Sequence, residues 1–218
     1  MPSWIYERST NRYRVTREGA ELLGLRPGTF IGENRRIELR DEWTEAQKLI
    51  TDRLALDYDR GDIRLSDWVL QMRQEVKTSY IEQYLLGIGG RNNMTPSDWG
   101  RLGNALRNQY GYLQGFADDL MNRQPPLTLA QIQARMRQYI DGSTAMYERA
   151  RAKAQGAPAL PEYPADGSQD CRSNCKCHWR IEETETEWRA FWELEGGADH
   201  CDSCLSNNAK WYPLVILK

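Results

Sequence analysis

The chain has 218 residues, 40% of them hydrophobic and 28% charged, with a formal net charge of −2. That length supports one or two domains with a real core, and the composition is that of a globular protein rather than a disordered or fibrous one. No apolar run approaches the ~20 residues that span a bilayer, and residues 1–8 lack an apolar signal core, so neither membrane insertion nor secretion is expected.

Residues 1–40 are broken by Gly19, Gly24, Gly28 and Gly32 and by Pro27. Aromatics (Trp4, Tyr6, Tyr13, Phe30) are interspersed with arginines, and the segment carries 8 Lys and Arg against 5 Asp and Glu. Such a stretch makes a poor core alone. It reads as an extended N-terminal arm, ordered by docking on another subunit or on the chain's own body.

From residue 41 to 156 the pattern is helical. Residues 42–58 predict a first helix with Trp43, Ala46, Ile50 and Leu54 at 3–4 spacing, ended by Gly61. Ser66 is a candidate cap for a second helix, whose face is Trp68, Met72, Val76, Tyr80 and Leu85 until Gly87. Thr95-Pro96-Ser97-Asp98 is a strong start signal, with a cap, a first-turn proline and an early acid. The stripe Trp99, Leu102, Leu106, Tyr110, Leu113 and Leu120 follows, as far as Pro125-Pro126. Thr128 opens a fourth helix with Leu129, Ile132, Met136, Tyr139 or Ile140, and Tyr147, ending near Gly156 and open to bending at Gly142. Four helices with short breaks suggest a bundle, and their stripes are core rather than cofactor contacts.

Residues 157–170 hold Pro158, Pro161 and Pro164 and read as a stiff linker. Beyond it, residues 177–182 and 188–194 alternate as strands do, with a turn at 183–187 and a last edge strand near Trp211–Ile216. All five cysteines lie here. Cys171, Cys175 and Cys177 form a C-x3-C-x-C cluster, and Cys201 and Cys204 form a C-x2-C knuckle 24 residues on. Thiolates bind zinc best in fours, and a module of this size needs a staple, so one zinc per chain on four of the five cysteines is expected. Cys201 and Cys204 are a natural pair. Cys175 and Cys177 are favoured as the other two because they lead into the strand, with Cys171 as the alternative. His178 and His200 flank cysteines, and either can replace a thiolate.

The fold class read from these segments is mainly α. It comprises an extended N-terminal arm (1–40), a helical bundle-like body (41–156), a Pro-rich linker (157–170), and a small β-rich zinc-ribbon-like C-terminal module (171–218). Catalytic patterns are missing: no Ser-His-Asp order, phosphate loop or HExxH occurs. A non-enzymatic protein without a small-molecule substrate is expected.

Several stretches together resemble tailed-phage minor head proteins of the head-morphogenesis, Mu F-like group. They are Arg12-Tyr13-Arg14, Tyr112-Leu113-Gln114-Gly115-Phe116, and Asp166-Gly167 followed by Cys171-x3-Cys175-x-Cys177-x-Trp179. His200-Cys201-x-x-Cys204, with Ala209 and Trp211-x-Pro213 behind it, fits the same pattern. The resemblance covers roughly residues 95–218 well and the first 90 weakly, and the cysteine–tryptophan spacing is its specific part. It implies a structural virion component, assembled in the host cytoplasm with portal protein and major capsid protein. Such a component acts in head assembly and genome packaging or delivery, with packaged DNA as a further contact. It implies no catalytic residues, and a metal role for the five cysteines only. The competing reading is a zinc-ribbon nucleic-acid-binding regulatory protein. Against it, residues 171–218 carry 6 bases and 8 acids, where a phosphate-gripping module is usually basic.

Overall fold

The structure is a computed structural model and describes residues 4–7, 10, 12–17, 20, 25–172, 175–197 and 199–218. Strands β1 (Trp4–Glu7), β2 (Arg12–Val15) and β3 (Phe30–Ile31) form a small antiparallel sheet. Five helices follow: α1 (Glu33–Asp59), α2 (Leu65–Ile88), α3 (Pro96–Asn122), α4 (Leu129–Asp141) and α5 (Thr144–Ala154). A second antiparallel sheet, β4 (His178–Glu183), β5 (Glu187–Glu193) and β6 (Leu214–Leu217), encloses a short helix, α6 (Asp202–Lys210), between its last two strands.

The N-terminal region differs from an extended arm in two ways. The helix expected from residue 42 begins at Glu33, and among the described residues ahead of it β1, β2 and β3 pair, with Trp4 opposite Val15 and Tyr13 opposite Ile31. The sheet docks on the chain's own body. Trp4, Tyr13, Val15 and Ile31 are buried with Leu86 and Tyr147 in a small core of their own. At its centre is Arg36, fully buried, with its guanidinium 3.4 Å from the Tyr13 ring centroid and 5.4 and 5.3 Å from those of Trp4 and Tyr147. The cation donates to the Gly87 carbonyl at 3.0 Å and pairs with Glu33 at 3.2 Å. Cation–π contact replaces the water that Arg36 loses, so aromatic residues spread along a glycine-rich stretch become a lid. Gly19 and Gly24 lie outside the described residues.

Helix α2 carries the main core on an i, i+4 row: Trp68, Met72, Val76, Tyr80, Tyr84 and Ile88 are all buried. Trp68 meets Phe116 of α3 edge-on at 5.3 Å, and Phe116 stacks on Tyr139 of α4 at 6.3 Å. The end of α2 crosses α5 closely. A Cβ at Gly87 would strike the Tyr147 carbonyl and lie 2.7 Å from Ala150 Cβ, so only glycine permits this approach.

Helix α1 buries only Leu54 of the expected stripe. Ile50 is 47% exposed and Ala46 is exposed, while Arg36, Thr44, Gln47, Thr51, Leu54 and Ala55 are buried. The reason is a polar seam. Arg137 of α4 donates twice to Asp52, at 2.9 and 2.5 Å, Lys48 pairs with Asp141 at 2.7 Å, and Gln83 of α2 donates to Thr44 at 2.9 Å. Hydrophobic periodicity cannot see a face that packs through hydrogen bonds. The expected fourth helix is two, α4 and α5, parted at Gly142-Ser143, where Ser143 Oγ donates back to the Ile140 carbonyl at 2.6 Å.

The start of α3 is the capping box that Thr95-Pro96-Ser97-Asp98 announces, and Asp98 does more than cap. It is fully buried and accepts from Tyr84 Oη at 2.6 Å, Lys153 Nζ at 2.6 Å and the Thr95 backbone at 2.7 Å. Burial pushes its carboxyl pKa up, but the hydrogen bonds from Lys153, Tyr84 and Thr95 outweigh it and hold the group well below the usual carboxylate range. A depressed folded-state pKa stabilises the fold above the unfolded value, and that contribution disappears as pH falls below about 4. Asp98→Asn should therefore lower stability by about 3 kcal/mol at pH 7 and flatten the acid limb of the stability profile below about pH 4, as read by urea melts across pH.

The expected spacer at 157–170 is no separator. Leu160, Tyr163 and Ala165 are buried in a core continuous from Trp68 through Trp179, Trp192 and Trp211. Trp179 donates its indole N–H to the Glu162 carbonyl at 2.9 Å, tying the segment to β4. The strands fall close to expectation, with Trp179 opposite Trp192 and the turn closed by Thr184 N–H on the Glu187 carbonyl at 2.9 Å.

A candidate metal centre built from five cysteines

Two local devices bring the distant cysteines together. Cys201 is the N-cap of α6, and Asp202 stands in the first turn, so Cys204 sits one turn up and its backbone faces the cluster. The segment ahead of Cys171 is clamped to that turn: Asp170 N–H donates to Ser203 Oγ at 2.8 Å, and Ser203 N–H returns a bond to Asp170 Oδ2 at 3.2 Å. Cys175 and Cys177 are placed by the run into β4, over the mutually packed indoles of Trp179, Trp192 and Trp211, whose centroids are 5.2 to 5.8 Å apart. Helix α6 was not legible as a helix, although Cys201-Asp202-Ser203 carries the usual start signal.

All five predicted cysteines meet, but not as one equivalent set. Cys171, Cys201 and Cys204 form one group and Cys175, Cys177 and Cys204 a second, with the sulfurs of each within 4.8 Å of one another. Cys204 is common to both. Its Sγ lies 3.5 Å from that of Cys175 and 3.7 Å from that of Cys171. Tetrahedral thiolates at a Zn–S distance of about 2.3 Å have sulfurs about 3.8 Å apart, so the spacing matches a metal-holding set. The expected quartet of Cys175, Cys177, Cys201 and Cys204 therefore draws on both groups. His200 Nδ1 is 3.9 Å from Cys177 Sγ, within reach of the same centre. His178 is not: its Nε2 faces Glu193 at 3.2 Å across the β-ladder.

The electrostatics favour a bound cation. Burial and the facing thiols of Cys201 and Cys175 push Cys171 up to about 12. The neighbouring thiol of Cys177 and burial raise Cys175, and burial and Cys175 raise Cys204. Cys201 is the exception. Burial raises it, but Ser203 and the backbone N–H groups of Cys204 and Cys171 bring it down to about 6. One thiolate is stabilised by the helix start, and further ionisation within the cluster requires a positive charge. A soft divalent metal would supply it.

A buried network links this module to the helices. Arg151 of α5, 4% exposed, pairs with Glu33 and Glu148 at 2.8 Å each and donates to the Trp179 carbonyl of β4. Arg40 reaches Glu148 at 3.4 Å from the other side. Two of Arg151's partners, Glu33 and the Trp179 carbonyl, lie 118 and 28 residues away along the chain.

Among the described residues no helix is long and apolar enough to cross a membrane. Comparison with protein-family models, with curated proteins and with solved structures finds no match.

Proposed function

We propose that the chain is a structural component of a tailed-phage particle. In this reading it is a minor head protein that associates with portal protein and major capsid protein, is assembled in the host cytoplasm, and serves head assembly and genome packaging or delivery. One zinc ion, held by four thiolates including Cys204, fixes its C-terminal module, and it performs no catalysis. The observation that carries the reading is the C-terminal unit. The cysteines and tryptophans of the pattern that resembles minor head proteins share one structure: the five cysteines converge, and Trp179 and Trp211 pack in the same core with Trp192. The regulatory zinc-ribbon reading has less support, because the module is slightly acidic.

The test is co-expression of the intact chain with portal and major capsid proteins of its own particle. The chain is expected to co-sediment with assembled heads at ~0.5 M salt, where phosphate-driven binding is largely lost. Sedimentation apart from the heads, with retention on duplex DNA at low salt, contradicts the proposal and favours the regulator.

A further inference from the structure

A cleft of about 1110 Å³ opens between α3 on one side and α4, α5 and residues 165–172 on the other. Its α3 wall runs from Arg101 to Asp119, about 27 Å at 1.5 Å per residue. Arg101, Arg135, Arg149 and Arg172 line it, against Asp119 and Asp166. Four cations less two anions leave a surplus of two positive charges, in a chain whose net charge is −2. Asp119 neutralises only Arg135, at 2.5 Å. Arg149 lies 4.7 Å over the Tyr163 ring, and its buried Nε finds no hydrogen-bond partner among the described residues. Arg101 and Arg172 are exposed.

The rest of the lining is suited to planar groups rather than to a point charge. Tyr112 is 66% exposed on the α3 wall. Gly111 and Gly115 beside it leave open space where a Cβ would find nothing within 4 Å. Asn104, Asn108 and Gln138 add amide donors and acceptors. We propose that this cleft binds a segment of single-stranded nucleic acid, with phosphates held by Arg101, Arg149 and Arg172 and a base stacked on Tyr112. The 27 Å wall and the cations on both facing walls suit a strand passing between them, and an isolated anion would use one end only. An acidic peptide would use the arginines but neither the exposed ring nor the amides. The inference is independent of the metal and of any role in a particle.

Fluorescence anisotropy of a labelled oligothymidylate of about 12 nucleotides against the full chain tests it. Saturable binding is expected, with log K falling against log salt at a slope of about −2, as three phosphate contacts require. Arg101→Gln with Arg172→Gln, both exposed, should weaken binding at least about tenfold and flatten that slope, with an unchanged melting temperature. Tyr112→Ala should weaken binding roughly 5- to 100-fold at an unchanged slope, because stacking releases no counterions. Absence of saturable binding at ~50 mM salt overturns the proposal. So does binding that ignores these substitutions, or equal competition by a polyglutamate peptide.

Discussion

Replacing Cys204 with serine is expected to abolish the proposed zinc binding and to unfold the C-terminal sheet, and no other single cysteine substitution is expected to do as much. Cys204 is the one sulfur shared by both groups, so no metal position in the cluster is complete without it. Loss of Cys171 still leaves four thiols with His200 beside Cys177, so Cys171→Ser should retain a weakened metal. Zinc supplies about 10–16 kcal/mol of apparent folding free energy to small finger domains. Losing it should remove most of what holds α6 and Cys171, Cys175 and Cys177 against the three indoles. Hydrogen exchange should show β4–β6 and α6 unprotected in Cys204→Ser and α1–α4 protected as in the parent chain. Near-UV dichroism should lose the signal of the packed tryptophans, while far-UV helicity falls only slightly.

Arg151→Leu is the second large effect. The substitution leaves Glu148, whose side chain is 3% exposed, with only the 3.4 Å contact to Arg40 among the described residues, and removes the donor to the Trp179 carbonyl. Removing one partner of a buried ion pair costs about 3–5 kcal/mol, because the remaining charge stays out of water. For a chain of this size that is a fall in melting temperature of roughly 10 °C. The loss depends on pH in a defined direction. Burial raises the pKa of Glu33, but Arg151 and then Arg36 overcome it and lower the carboxyl below its usual value. Its contribution is present above the unfolded value of about 4.3 and vanishes as pH falls through the folded one. The variant should therefore be weakest relative to the parent near neutral pH and converge with it below about pH 4. Glu148→Leu added to Arg151→Leu should recover part of the loss, since a fully apolar replacement strands no charge.

These two predictions also mark the limit of what the sequence makes legible. Where burial is apolar and local, the pattern reads directly: the α2 row from Trp68 to Tyr80, the Thr95 cap of α3, and the β4–β5 hairpin all follow from spacing and turn chemistry. The cysteines and their convergence follow from ligand spacing. Polar burial is different. The inner face of α1 carries Arg36, Thr44, Gln47 and Thr51; Arg36 and Thr44 take partners from α2, and Thr51 donates back to Lys48 of its own helix. A hydrophobicity pattern assigns such residues to solvent, and so it selects Ala46 and Ile50 instead. The sheet at the N-terminus was hidden for the same reason: its anchor is a cation enclosed by rings from β1, β2 and α5. The 157–170 segment was hidden by its prolines, which signal stiffness but say nothing about whether Leu160 and Tyr163 face a core. Neither the shared position of Cys204 nor the link from Arg151 to β4 could be read before the chain was folded.

The central claim is that the five-cysteine cluster is a structural zinc centre, and metal stoichiometry with sulfur coordination tests it most directly. The full chain, purified without chelator, should contain one zinc per chain by elemental analysis. Its X-ray absorption should fit four sulfurs, or three sulfurs and one nitrogen, with Zn–S at about 2.3 Å. Chelation should expose all five thiols to a thiol reagent and release the tryptophan core. Chain purified with no stoichiometric metal, its five thiols unreactive and the β4–β6 amides fully protected, would contradict the account.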